Sequence, residues 1–239
     1  MAAITAKQKR TDLLFKVARQ IRRRYSIRRN LLAWGQEFYQ SFKWRDANNK
    51  FHGLIAEVLL QRTTAKAAHR VYEAFVTRFP SVQSLAKSTP EQVLEIIRPL
   101  GIYSRANTLV EMARILVDEH SADVPQDFDV LLSLPGVGRY AASAFLCLHA
   151  NQAVAIADSN VQRAASRLIG QKVTVDEAAD FFAMILPPKD ARRFTLAFLD
   201  FSMQICRPNP WQPLCRECPF LSICKTGSKI IAGNKPSWM

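Results

Sequence analysis

Leu134-Pro135-Gly136-Val137-Gly138-Arg139-Tyr140 is the stretch that decides the fold. Helix-forming sequence flanks it, Phe128 to Ser133 before and Ala141 to His149 after. Gly136 and Gly138 permit a tight turn and close approach to the backbone. Leu134 and Val137 can turn inward and hold two helices together. The N–H groups at the start of the second helix, with its dipole, form an anion site suited to a nucleic-acid phosphate. Such a site positions a duplex without reading its sequence. The competing reading is an ordinary glycine-containing turn. A single glycine would favour it; the full pattern followed directly by an Ala-rich helix favours a helix-hairpin-helix.

Outward from the hairpin the chain reads as almost all helix. Apolar residues recur at helical spacing in Leu54-Ile55-Val58-Leu59, Leu94-Ile97, Leu109-Met112-Ile115-Leu116 and Phe194-Phe198-Leu199. Breakers separate these runs: Phe79-Pro80, Thr89-Pro90, Pro99 with Gly101, Pro125, Pro135-Gly136, Gly170 and Pro187-Pro188. Ser88 or Thr89 before Pro90 and Glu91 predicts a helix start. Ala153 to Ala157 is a short strand-like apolar run, but no alternation is long enough for a sheet. The fold class expected is all-α.

The 239 residues are 49% apolar, enough for a sizeable core and against disorder. Lysine and arginine total 33 against 20 acids, a formal charge of +13, which suits a polyanionic partner. No apolar stretch approaches the roughly 18 residues of a spanning helix, and no secretory signal is present. The N-terminal segment carries Arg22, Arg23, Arg24, Arg28 and Arg29, with Asp12 the only acid before Asn30. A basic N-terminal helix is the preferred reading and a mitochondrial transit peptide the other. Cys147 stands alone, whereas Cys206, Cys215, Cys218 and Cys224 share one proline-rich segment with little helical periodicity. In an intracellular chain this clustering points to metal ligation rather than disulfides.

The hairpin resembles that of the endonuclease III and MutY superfamily of DNA glycosylases. The resemblance continues through Glu57-Val58-Leu59-Leu60-Gln61-Arg62-Thr63-Thr64 upstream, Ile156-Ala157-Asp158-Ser159-Asn160-Val161-Gln162-Arg163 downstream and the cysteines beyond. These features run in the family's order from about Trp44 to Cys224. The likeness is strongest to the Mig-type thymine/uracil mismatch glycosylases, which share the run Leu59-Leu60-Gln61-Arg62-Thr63-Thr64-Ala65 apart from its third residue, and a tyrosine just after the hairpin.

Asp158 precedes a predicted helix starting near Ser159, where aspartate is a leading cap. The resemblance also makes it the catalytic carboxylate, and the two roles are compatible, because a helix N-terminus keeps a carboxylate ionised. Loss of a base leaves positive charge on the deoxyribose. A fixed carboxylate can stabilise that charge and orient or deprotonate the attacking water. Glu57 lies in an apolar helical stretch and reads either as an exposed-face glutamate or, by the resemblance, as a functional one. In a dry pocket its pKa would rise, and it would donate to the leaving base or hold a catalytic water. Bifunctional relatives carry a lysine where this chain has Tyr140, so the resemblance implies a monofunctional enzyme with water as attacker. Tyr140 is expected either to line the pocket of the flipped base or to pack between helices. Gln61 or Arg62 is the expected wedge filling the gap left by the flipped nucleotide. With Leu134, Gly136, Val137, Gly138 and Arg139 they form the expected DNA-binding set.

Cys215-Arg216-Glu217-Cys218, then five residues and Cys224, matches the last three ligands of the family's [4Fe–4S] motif. Eight residues separate Cys206 from Cys215, where the family has six. Four thiolates suit a [4Fe–4S] cluster or a zinc ion; the resemblance selects the cluster, in a structural role that presents Arg207, Arg216 and Lys225 to phosphates. A monovalent cation at the hairpin is the second expected cofactor.

The expected organisation is a basic N-terminal extension over 1–26, a helical barrel with the hairpin over 46–152, and a cluster lobe from 27–45 plus 153–239, with the base bound where the lobes meet. The expected partner is double-stranded DNA with a mismatch or lesion, bound by a monomer inside the cell. Thymine or uracil opposite guanine is the expected target. Tyr140 favours it, as does the short segment after the cysteines, which leaves no room for a domain that recognises oxidised guanine. The alternatives are adenine or a modified base, a non-catalytic DNA-binding module, and an iron–sulfur electron carrier. Glu57 and Asp158 argue against the module and the hairpin against the carrier.

Overall fold

The computed structural model describes residues 23–46, 49–208 and 213–234. Most of the basic extension expected over 1–26 therefore lies outside the described residues. The first described helix, α1 (Arg24–Glu37), already begins within that stretch. Among the described residues the chain is all helix and turn, with no strand. The strand-like run 153–157 forms no strand, and the Val154 N–H turns back to the Gln152 carbonyl at 2.9 Å.

The chain divides into two compact units, one from Ser41 to Val154, the other from the residues up to Gln40 together with Ala155 onward. Residues 41–45, which the sequence reading joined to the cluster lobe, belong with the Ser41–Val154 unit. The reason is aromatic: Trp44 is buried, stacks on Phe42 at 4.6 Å between centroids and meets Tyr72 edge-on at 5.7 Å.

In the Ser41–Val154 unit the helices are α2 (Lys50–Leu60), α3 (Ala65–Arg78), α4 (Val82–Ala86), α5 (Pro90–Ile97), α6 (Arg105–His120), α7 (Phe128–Ser133) and α8 (Arg139–His149). Except at α6 and α8, side chains close their open N-terminal N–H groups. Asn49 accepts from Phe51 and His52, Thr64 from Ala67, and Asp127 from Asp129 and Val130. At α5, Thr89 is the cap, Pro90 opens the helix, and Gln92 completes a reciprocal capping box. The helical-period residues Leu54, Ile55, Val58, Leu59, Leu109, Met112 and Leu116 enter one apolar core with Phe75 and Phe145. In it α2 packs on α3 and α8, and α4 packs on α6.

The other unit holds α1, α9 (Ser159–Ile169), α10 (Val175–Ile185), α11 (Ala191–Gln204) and the short α12 (Gly227–Ile231). Its core is aromatic. Phe198 meets Phe182 edge-on at 5.0 Å, and Phe201 meets Phe220 at 4.8 Å and Trp34 at 6.2 Å. Arg28 closes the far end of α10, donating to the carbonyls of Ile185 and Leu186, both at 2.7 Å. One of the basic N-terminal residues thus has an internal role.

Candidate active site

The hairpin forms between α7 and α8 as the residue pattern demands. Leu134 and Val137 are buried, so only their backbone can face a ligand, and the Val137 N–H returns to the Leu134 carbonyl at 3.1 Å. Gly136 has φ +78°, and a Cβ there would lie 2.5 Å from the Thr108 methyl, so glycine is required twice over. Beyond Gly138, nothing lies within 4 Å of where a Cβ would be. No side chain caps α8 at Gly138. Exposed Arg139 lies over the Phe128 ring at 5.7 Å, and half-buried Tyr140 follows in the first turn of α8.

The end of α2 is tied to this hairpin. Gln61 donates from Nε2 to the Gly136 carbonyl at 2.8 Å, and exposed Arg62 takes a left-handed conformation, φ 55°. Buried Arg105 donates to the Leu59 carbonyl at 3.2 Å and the Gln61 carbonyl at 2.6 Å, satisfying groups that a helix end leaves open. The sequence reading gave Arg105 no role. Its partners lie more than forty residues away, and no local spacing signals them.

Glu57 is buried on α2 rather than on an exposed face. Its Oε1 lies 3.0 Å from Nε2 of His149, the last residue of α8, and each side chain is 3% exposed. Of the two readings open for Glu57 the structure has the buried one, and the imidazole beside it was not foreseen.

In the other unit, Asp158 caps α9. Its Oδ1 accepts from the N–H groups of Asn160 at 2.9 Å and Val161 at 2.8 Å, and its Oδ2 from the Asn160 side chain at 2.7 Å. Each partner is an N–H donor, which the acceptor-only ionised carboxylate satisfies. Asn160 in turn accepts from Arg163 at 3.0 Å, and Arg163 donates to the carbonyls of Ser202 at 2.7 Å and Cys206 at 2.9 Å. Capping and a rigidly presented carboxylate therefore coexist.

Cys206, Cys215, Cys218 and Cys224 line one cavity with Ala164, Arg167 and other mostly apolar residues. Burial pushes the Cys218 thiol up to about 12 and that of Cys224 to about 11. Among the described residues no group of three or more His, Cys, Asp or Glu side chains is set at ligating distance. The donor set nevertheless fits an anionic thiolate centre. Arg167 is buried in the cavity wall and donates to Cys206 Sγ at 3.4 Å, while its Nε and Nη2 have no partner. A buried guanidinium with unmet donors needs negative charge beside it. The loop is also tied to α9, the helix that Asp158 opens: the Lys225 N–H meets the Leu168 carbonyl at 3.2 Å and the Cys224 thiol the Arg167 carbonyl at 3.3 Å. Arg207, Arg216 and Lys225 are exposed.

Comparison with known proteins agrees with this geometry. The thymine-DNA glycosylase of Aeropyrum pernix is 34% identical over 209 residues, covering 83% of this chain and 93% of that protein. The adenine DNA glycosylase of Rattus norvegicus is 30% identical, covering 96% of this chain and 48% of that protein. The solved structure of a thermostable thymine-DNA glycosylase superposes with a TM-score of 0.82 at 27% identity, covering 87% of this chain and 98% of that one. The family model described as HhH-GPD superfamily base excision DNA repair protein matches residues 55–185, more than half of the sequence, and the chain belongs to that superfamily.

Proposed function

We propose that this DNA glycosylase acts on duplex DNA, flips out thymine or uracil opposite guanine, and releases the base by hydrolysis without cutting the strand. The observation that carries the reading is the Asp158 carboxylate, held by two backbone N–H groups and Asn160 at the start of α9. Cleavage of the C1′–N bond sends its electron pair to the base and leaves positive charge on the sugar. Asp158 stabilises that charge and takes the proton of the water whose oxygen bonds to C1′. Glu57 meets the departing base or holds a water for it. Tyr140 stands where an amine nucleophile would be needed for strand cleavage, and a phenol forms no Schiff base.

Duplex DNA is held through the backbone of Leu134, Gly136, Val137 and Gly138 with Arg139, and a monovalent cation on the hairpin carbonyls is part of this reading. Gln61 and Arg62 supply the wedge. Cys206, Cys215, Cys218 and Cys224 would hold a [4Fe–4S] cluster, whose contribution is structural: it fastens the loop that clamps α9 and carries Arg207, Arg216 and Lys225. The thymine/uracil choice draws on the likeness to the Aeropyrum pernix and thermostable thymine-DNA glycosylases. Adenine is the second reading, favoured by the similarity to the rat adenine DNA glycosylase across nearly all of this chain. Single-turnover base release from G·T, G·U and A·G duplexes tests both: release of thymine and uracil supports the first, release of adenine alone replaces it with the second.

A further inference from the structure

Gly53 stands inside α2, where glycine weakens a helix. A Cβ at Gly53 would lie 2.5 Å from His149 Cγ and 2.6 Å from its Nδ1. The imidazole therefore fills the space that a side chain on α2 would occupy. Its other neighbour is the Phe145 ring, at 6.2 Å and 25°. Four residues on from Gly53, on the same helix face, Glu57 Oε1 meets His149 Nε2 at 3.0 Å. One face of α2 thus does two things for one imidazole: it makes room for it and bonds to it. Among the described residues nothing is seen bonded to Glu57 Oε2, which leaves that oxygen for another molecule.

We propose that His149 is the positioning residue for Glu57: it holds Oε1 and leaves Oε2 to meet the base or its water. This rests on the reading of Glu57 as the group that meets the base. The elements packed against α2 carry other charged or titratable groups. Arg45 of the Lys43–Asp46 turn lies over the Phe42 ring at 5.2 Å, and Lys43 of that turn pairs with Glu73 of α3. Asp46 is the turn's acid. From α3, His69 meets the Phe42 and Trp44 rings, Tyr72 meets Trp44, and Lys66, Arg70 and Arg78 complete the set. Arg105 of α6 is bonded to the last carbonyls of α2. Besides His149, α8 carries Arg139, Tyr140 and Cys147, and α7 behind it carries Asp129. Among the described residues, His149 is the one side-chain hydrogen-bond partner of Glu57. A hydrogen bond between two groups that can each carry a proton lets them act as one unit in the reaction.

The test uses the full chain and single-turnover release across pH, with DNA affinity and thermal midpoint measured alongside. His149→Ala should slow release by about tenfold or more, part of what general acid–base assistance supplies, and should change the shape of the pH profile. Affinity for the duplex should stay within about twofold, because phosphate contacts lie elsewhere. Gly53→Ala/His149→Ala puts a methyl into the vacated space and restores a better helix former. It should recover thermal stability without recovering rate or profile. In a Glu57→Gln background, His149→Ala should cost little further rate, since the two act as one unit. A double variant that regains the wild-type rate and profile along with its stability would reduce His149 to a packing residue and overturn the proposal, as would a single variant with an unchanged profile. If the wild-type protein releases a base other than thymine or uracil, the substrate reading fails, and the same profiles taken on that base keep their meaning for His149.

Discussion

Asp158 joins two demands on one side chain. Its Oδ1 closes the first turn of α9, and that bonding fixes the direction of the whole carboxylate. Asn keeps a capping oxygen and removes the charge, so Asp158→Asn separates capping from chemistry. The variant should fold with its cap in place, lose some thermal midpoint because its amide NH2 faces that of Asn160, and bind G·T and G·U duplexes at least as well, a negative charge near phosphates having gone. Single-turnover release should fall by roughly 100-fold or more, the usual cost of losing a preorganised charged group. Release at the wild-type rate would leave Asp158 as a cap alone. Tyr140 permits an equally direct check. Product strands should break only after hot alkali, and borohydride should trap no covalent adduct. A robust trapped adduct would mean that some amine attacks the sugar.

At the scale of the element, the hairpin and the cysteine loop each hold a helix end in place. Gly136→Ala puts a Cβ against the Thr108 methyl and a non-glycine residue at positive φ. It should lower the thermal midpoint and weaken binding to matched and mismatched duplexes alike, as measured by titration, because a phosphate site carries no base information. Selective loss for mismatched DNA would contradict that assignment. The cysteine loop acts on α9 through the Leu168 carbonyl, which the Lys225 N–H meets. Protein purified without oxygen should be yellow-brown and contain iron; zinc without iron would replace the cluster with a zinc site. Cys215→Ser should mainly lower folding yield and DNA affinity. Arg105→Met leaves the Leu59 and Gln61 carbonyls unmet and should destabilise the fold by about 1–3 kcal/mol in denaturant titration.

Over the whole molecule the formal charge of +13 governs how the protein meets DNA. Binding should weaken steeply as salt rises, and replacing Arg207, Arg216 and Lys225 together should flatten the slope of log affinity against log salt. An unchanged slope would place the phosphate contacts elsewhere. Much of this chemistry was legible beforehand. The hairpin, the Thr89-Pro90 helix start and the cap at Asp158 were each visible, because each bond spans two or three residues and spacing in sequence is then spacing in space. Glu57 was visible only as a carboxylate in an apolar run, which fits an exposed face as well as a buried one.

By itself, then, the sequence determined the all-α class, the helix starts near Thr89 and Ser159 and the hairpin, since helical period and capping are properties of single turns, and the order of its motifs resembled that of the superfamily. Only the tertiary structure decided that Glu57 is buried against His149, 92 positions later, and that Gly53 makes room for that ring. It also moved residues 41–45 to the Ser41–Val154 unit through Trp44 and gave the end of α2 to Arg105. The reason is common to all of them. Which helix faces meet depends on how many side chains fill a shared core together, and no interval along the chain encodes that meeting.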